Sequence, residues 1–322
     1  MITRFINKRN KSVIALAAVS VMAIAMGIGL SRAHAAGQQT RGQAPAGRGA
    51  RGRGMFTPHV MVPWSDNTGF VKIFNGKNLD NWKGDPSVWH VEDGAITALS
   101  TAAHPTGTTN IWWTGGEPAN FILKETIKEV GNGNGGIQFR SANKPPEPFP
   151  GRRGGPFFGR GGRSMTPAQM AQMQARMKQM AALQAKNRPW SLIGYQEDMD
   201  TTGRFDGQLY EQGKNRGIIA LPGEVMVAPA DGGAPYLIAH CATAAQIKKW
   251  IPDPQGWNHF EIVADGNTMV QIVNGHIISV LFDFNPAKAE TKGLIGMEIE
   301  GNIKIQYKDI YLKNLPTLVS SN

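Results

Sequence analysis

Gly293-Leu-Ile-Gly-Met-Glu-Ile-Glu-Gly301, followed by Ile303-Lys-Ile-Gln-Tyr-Lys-Asp-Ile-Tyr-Leu-Lys313, decides the fold of this 322-residue chain. A small-residue turn leads into a strand, Gly301-Asn302 reads as a tight turn, and the second run alternates apolar with polar residues. The pattern predicts the closing hairpin of an antiparallel sheet with one buried face. Phe70-Val-Lys-Ile-Phe-Asn-Gly-Lys-Asn-Leu-Asp-Asn-Trp82 supplies the other end. The two stretches bracket one β-sandwich.

Working outward, short strand-like runs recur from about Trp64, including Trp89–Glu92, Ala95–Leu99, Phe121–Val130, Gly136–Arg140, Leu192–Glu197, Phe260–Ala264 and His276–Phe282. Asn75-Gly76, Asp93-Gly94, Asn132-Gly133, Asp265-Gly266 and Asn274-Gly275 mark turns between them. Gly131 to Gly136 reads as a hairpin turn and not a phosphate loop, because no Lys-Ser/Thr pair or helix follows. The expected fold is all-β: a two-sheet antiparallel β-sandwich or jelly roll over 64–316. Ala242–Trp250 is expected to form one short surface helix.

An insertion at 143–189 interrupts this pattern. Its first part is rich in Pro, Gly and Arg. Thr166-Pro167 then reads as an N-cap with proline at the first helical position. Met170, Met173, Met177, Met180 and Gln184 recur at helical spacing, predicting an amphipathic helix to about Lys186 whose methionine stripe packs on the sandwich or a second protomer. Copper binding by those methionines is the alternative.

Residues 1–35 carry the marks of a secretory signal: basic Lys8, Arg9 and Lys11, an uncharged run from Val13 to Leu30, and Ala33-His-Ala35 as a cleavage site. An uncleaved membrane anchor is the other reading of that run. Residues 36–63 read as a disordered Gly/Arg-rich linker able to touch an anionic envelope surface, and 317–322 as a tail. Export implies the periplasm or beyond. Cys241, the one cysteine, excludes an internal disulfide and reads as a buried small residue.

The net charge of +10 does not describe the sandwich. Residues 1–54 hold nine Lys/Arg and no acid, and 144–188 hold nine Lys/Arg and one acid. Removing +9 and +8 from +10 leaves the rest of the chain at −7. A nucleic-acid partner is therefore not expected.

Gly133-Asn-Gly-Gly-Ile-Gln-Phe-Arg-Ser141, Gly194-Tyr-Gln-Glu-Asp198, Gly207-Gln-Leu-Tyr-Glu211, Gly256-Trp-Asn258, Val273-Asn-Gly275 and Gly293-x-Ile-Gly296 occur in one order. With Phe74-Asn-Gly-Lys-Asn-Leu-x-x-Trp82 and Trp89-x-Val-Glu-Asp-Gly94, they resemble the 3-keto-disaccharide hydrolase family over about Asp66 to Leu315. The resemblance implies a concanavalin-like jelly roll acting on a glycoside already oxidised at C3. It also shows a departure: relatives often carry Gln and His where this chain has Glu298 and Glu300.

A C3 ketone acidifies the C2–H. A base can remove that proton, the C1 aglycone can leave by elimination, and water can add back. The reaction needs a base, a donor to the enolate oxygen and an acid for the leaving group. Asp198 is the leading candidate base and Glu211 the second. Gln138 and Arg140 alternate, so both are expected on one face, with Arg140 as enolate stabiliser or as a structural ion pair. His259 is a candidate acid or a structural histidine. Gln138, Gln196, Tyr210, Asn258, Glu298 and Glu300 are candidate substrate contacts, Tyr210 by stacking on a sugar or by filling the core. Asp198, Glu211, Glu298 and Glu300 could hold a divalent cation, although their spacing is no ligand signature. Trp82, Trp89, Trp250 and Trp257 are expected in the core.

Two further functions fit the same fold. A non-catalytic carbohydrate-binding module would present an aromatic face with few buried carboxylates. An envelope interaction protein would use the basic linker and the methionine helix. Convergence of Asp198, Glu211 and Arg140 in one cleft is the arrangement expected of the enzyme.

Overall fold

Apolar-polar alternation in short runs becomes strand after strand, because a strand sends successive side chains to opposite faces. The structure, a computed structural model, describes residues 62–147 and 166–316. The expected export signal, nearly all of the linker, residues 148–165 of the insertion and the 317–322 tail lie outside the described residues.

The first strands are β1 (Val71–Lys72), β2 (Trp82–Gly84), β3 (Trp89–Glu92), β4 (Ala95–Leu99), β5 (Thr109–Trp113) and the long β6 (Phe121–Ala142). Helix α1 (Pro167–Asn187) follows, then β7 (Ile193–Asp200), β8 (Gln208–Gln212), β9 (Gly217–Ala220), β10 (Glu224–Ala228) and β11 (Tyr236–His240). Helix α2 (Ala244–Trp250) precedes β12 (Asn258–Asp265), β13 (Thr268–Val273), β14 (His276–Asp283) and the long β15 (Leu294–Asn314).

Two layers emerge from the pairing. One runs β11-β10-β14-β13-β12-β6-β15-β4-β3, with β1 also on β15. The other runs β2-β5-β15-β6-β7-β8-β9. β6 and β15 belong to both, pairing antiparallel from Leu294↔Ser141 to Asn314↔Phe121. The fold is thus the expected β-sandwich, with one departure from purely antiparallel pairing: β10 lies parallel to β14.

The long pair overturns two turn assignments. Gly301-Asn302 is no hairpin turn, and neither is Gly131–Gly136; they face each other across one continuous ladder, Gly301↔Gly133 and Asn302↔Asn132. Glycines that read as turns instead let two strands pass from one sheet to the other at close range. Gly301 has φ +89°, and a Cβ there would stand 2.7 Å from Gly133 Cα. A Cβ on Gly133 would stand 2.4 Å from the Glu300 carbonyl oxygen. Gly301→Val is therefore expected to lower stability by about 2 kcal/mol or more, as judged by urea unfolding.

Between the sheets lie Trp89, Phe121, Phe139, Tyr195, Tyr307 and many Ile, all buried. Trp82 and Trp89 are core residues as expected. Trp250 is partly buried and stacks on His276 at 4.2 Å. Trp257 is the exception: it is 40% exposed, with Lys308 Nζ 3.9 Å from its ring centre. Cys241 Sγ donates to the Ile278 carbonyl at 3.3 Å, and burial pushes its thiol up to about 11, so it stays protonated.

The inserted helix starts where Thr166-Pro167 places it, with a full capping box to Gln169. Its methionine stripe is not packed on the sandwich: Met170, Met177 and Met180 are exposed. The helix meets the sandwich through its C-terminal end instead, where Leu183 packs on Gly107. Asn187 Nδ2 donates to the carbonyls of Thr106 and Thr108 at 2.8 and 2.9 Å, and Lys186 Nζ lies 3.4 Å from Asp85. Among the described residues no helix is long and apolar enough to cross a membrane.

Candidate active site

The chemistry-bearing residues gather on the outer face of the second sheet. Period-two alternation turns Ile137, Phe139, Tyr195, Glu197, Leu209, Glu211, Met297 and Ile299 inward. The same alternation turns Gln138, Gln196, Asp198, Gln208, Tyr210 and Glu298 outward. Register then lines them up. One row across β5, β15, β6, β7 and β8 is Asn110–Glu298–Gly136–Asp198–Gln208. The next is Trp112–Gly296–Gln138–Gln196–Tyr210.

Gln196 organises the rows. Its amide oxygen accepts from Gln138 Nε2, and its own Nε2 donates to Asp198 Oδ1 at 2.6 Å and to Glu298 Oε1 at 3.2 Å. Gly136 makes this possible, since a Cβ there would lie 2.4 Å from the Gln196 amide nitrogen. Asp198 Oδ2 accepts from Gln208 Nε2. Glu298 Oε2 accepts from Gln212 Nε2 at 2.7 Å and Asn110 Nδ2 at 3.4 Å.

Electrostatics set the protonation of this face. Burial raises the half-buried Asp198 carboxyl to about 7, helped by the charges of Glu300 and Asp200 and opposed by the bonds from Gln208 and Gln196. Burial also lifts Glu298 well above the usual carboxylate range, with Glu300 and Asp198 adding to the effect. Tyr210, half-buried beside Asp198, Glu298 and Glu300, is raised first by burial and then by those charges, so its hydroxyl keeps its proton. A carboxyl near 7 next to a protonated phenol can exchange a proton at neutral pH.

Four candidates lie elsewhere. Glu211 faces inward: Arg216 Nε and Nη2 donate to its Oε1 at 2.9 and 2.7 Å, and the Arg216 N–H donates to its Oε2 at 3.1 Å. Arg140 does not share a face with Gln138. A bulge between Phe139 and Ala142, with Arg140 at φ +46°, swings the side chain away. Its guanidinium donates to the carbonyls of Ala119 at 2.7 and 2.9 Å, Gly266 at 2.7 Å and Glu290 at 3.2 Å, tying loops together. Asn258 is buried and spans a loop, donating to Asp253 O at 2.9 Å and Gly256 O at 3.3 Å while accepting from Asn274. His259 pairs with Thr126 on the first half of β6, its Nδ1 3.1 Å from Thr126 Oγ1, in the other sheet. Burial lowers its pKa, with Asp309 and Lys308 as its charged neighbours.

Glu211 facing inward also breaks up the four-carboxylate cation set. Among the described residues no group of three or more His, Cys, Asp or Glu side chains is arranged to hold a metal ion. Gln208, Gln212 and Asn110 are the site residues missed by sequence reasoning. Gln208 was within reach, because it sits two residues before Tyr210 on the same alternating run.

The inward face holds a second acidic group. Glu125 and Glu197 project between the sheets, fully buried, and none of their carboxyl oxygens has a hydrogen-bond partner. Burial raises both well above 4.5, and Glu125 raises Glu197 further. The folded state therefore binds their protons more tightly than the unfolded chain does. Their contribution to stability is full below about 4.5 and is lost as pH rises, at about 1.4 kcal/mol per pH unit per group through that window. Glu197→Gln is expected to stabilise the protein at pH 8 and to leave it little changed at pH 4, measured by thermal unfolding at both pH values.

A β-sandwich carrying a carboxylate–amide row on one outer sheet face is the class of protein these observations define. The chain belongs to the family of 3-keto-alpha-glucoside-1,2-lyase-like domains, whose family model matches residues 69–313. Its function is accordingly carbohydrate-related. A comparison with curated proteins gives no match. Among solved structures, a "Putative glycosyl hydrolase" from Parabacteroides distasonis is 16% identical, covers 76% of this chain and 99% of its own, and has a TM-score of 0.43. The carbohydrate binding module CBM66 from Bacillus subtilis is 13% identical, with 73% and 96% coverage and a TM-score of 0.39. A Bacillus subtilis protein with a galectin-like fold is also 13% identical, with 76% and 94% coverage and a TM-score of 0.36.

Proposed function

We propose that this protein is an exported enzyme that cleaves 3-keto-glycosides by elimination and hydration. The observation that carries the reading is Asp198: a carboxyl raised to about 7, fixed by two glutamine amides, on an outer sheet face beside Tyr210 and Glu300. Asp198 takes the C2 proton, and the C–H electron pair forms the C2–C3 enolate. The Tyr210 O–H donates to the enolate oxygen, while Gln208 holds Asp198. Collapse of the enolate restores the C3 carbonyl, forms the C1–C2 double bond and breaks the bond from C1 to the aglycone oxygen. Glu300 lies on the leaving-group side, where the departing aglycone oxygen takes a proton from solvent water. Water then adds at C1 and a proton returns to C2.

Family membership supports the substrate class, and the residues of the face support the enzyme over a binding module. Carboxylates and amides hold its centre, with Trp112 and Tyr210 at the ends of one row; a lectin-like module would carry its aromatics without the buried carboxylates. Glu298 and Gln196 position Asp198 without reaching substrate. The basic and apolar runs before Ala33-His-Ala35 support export, to be checked by N-terminal sequencing of the mature protein.

The test is release of aglycone from a 3-keto-glucoside, followed by mass spectrometry across pH. The base must be ionised, so kcat/KM is expected to rise with pH and level off above about 7. No release from several 3-keto substrates, together with measurable sugar binding, would favour the binding module.

A further inference from the structure

We propose that the inserted helix α1 builds a subsite for an aryl aglycone. The assignment rests on the reading above, and it names the leaving-group half of the substrate. A cleft of about 330 Å³ lies between α1, the 102–108 loop and the bend of β15. Its floor includes Glu300, the residue two positions along the same face from Glu298 and electrostatically coupled to Asp198. The cleft therefore continues the carboxylate row on one side. A sugar ring over Asp198 would direct its C1 substituent into it.

The lining selects the ligand class. Met180 and Leu183 from α1 and Pro105 from the loop give an apolar wall, and Arg176 and Gln179 give a polar rim. Thioether and guanidinium groups both favour aromatic rings, the first through sulfur contacts that are often at the ring edge and the second by stacking on the ring face. A volume near 330 Å³ matches the lower range of small-ligand sites and accommodates one or two rings. The same assignment accounts for Met180. It is 43% exposed on the cleft side of the helix, one turn before Leu183, which packs on Gly107.

The experiment compares 4-nitrophenyl and methyl 3-keto-glucosides, using the full-length mature protein and the variant Met180→Ala/Arg176→Gln. Both positions are exposed, so the variant's melting temperature should match the wild type. The expected result is a KM about tenfold higher for the aryl substrate in the variant, with the methyl substrate unchanged. Equal change for both substrates, or for neither, overturns the subsite and leaves the catalytic reading standing. If neither substrate is cleaved, the catalytic reading fails by itself. Calorimetric titration with phenyl glucoside then decides the subsite: binding weakened in the variant supports it, and unchanged or absent binding overturns it.

Discussion

Asp198→Asn is expected to reduce kcat for 3-keto-glucoside cleavage by about 10²- to 10⁴-fold, the range for losing a positioned general base. Substrate binding should persist, because the variant keeps shape and polarity. The fold should persist too. Asp198 accepts from Gln196 and Gln208, whereas an asparagine offers one oxygen and one NH2 group. Gln208 Oε1 is buried without a partner, so turning over the Gln208 amide gives the new NH2 an acceptor. Removing a carboxyl whose pKa is raised to about 7 also removes a proton-linked loss of stability between its ordinary value of 3.8 and about 7. The variant should be the more stable protein at pH 8 and little different at pH 4. Single-turnover kinetics with calorimetric binding separates the two effects. Retained turnover in a folded variant would remove Asp198 as base.

Arg216→Met is expected to lower stability by about 3–5 kcal/mol, the usual consequence of stranding a buried charge. Arg216 joins the two sheets. It donates to Glu211 Oε1 and, through Nη1, to Asp283 Oδ2 at 2.6 Å, while the Tyr195 hydroxyl donates to the same Asp283 oxygen at 2.6 Å. Glu211 is 1% exposed and Asp283 fully buried, so the arginine is the cation that makes both tolerable. A loss of this size is a large part of the roughly 5–15 kcal/mol that holds an ordinary domain together. Neutralising all three groups, with Glu211→Gln and Asp283→Asn added, should recover part of it, because no charge is then stranded. Urea unfolding of the single and triple variants measures both. Unchanged stability of Arg216→Met would show that the network is not a structural clamp.

Glu211 shows where sequence reading stops. Alternation on Gln208–Gln212 puts Tyr210 and Glu211 on opposite faces, but which face is the outer one depends on how β8 sits in the sandwich. Asp198 and Gln196 were legible as a pair because they share the parity of their strand. Arg140 was misjudged by the same rule, since the bulge after Phe139 breaks the parity and nothing in Phe139-Arg-Ser141 announces it. The β-sandwich itself was legible from alternating runs and turn dipeptides. Its two longest strands were not, because Gly131–Gly136 and Gly301-Asn302 have the composition of turns. Only the partner strand across the ladder shows that these glycines serve close approach. Helix α1 was fixed by its capping residues, whereas its methionines, read as packing, are exposed off the sandwich, Met180 on the cleft.

The central claim is that bond cleavage begins with loss of the C2 proton to Asp198. A 3-keto-glucoside deuterated at C2 tests it, with aglycone release timed beside the unlabelled substrate and the sugar product analysed by mass spectrometry. The account predicts slower release from the deuterated substrate and a product that has lost the label to solvent. Equal rates, with deuterium retained in full at C2, would mean that C1 is attacked directly and that Asp198 is not the base.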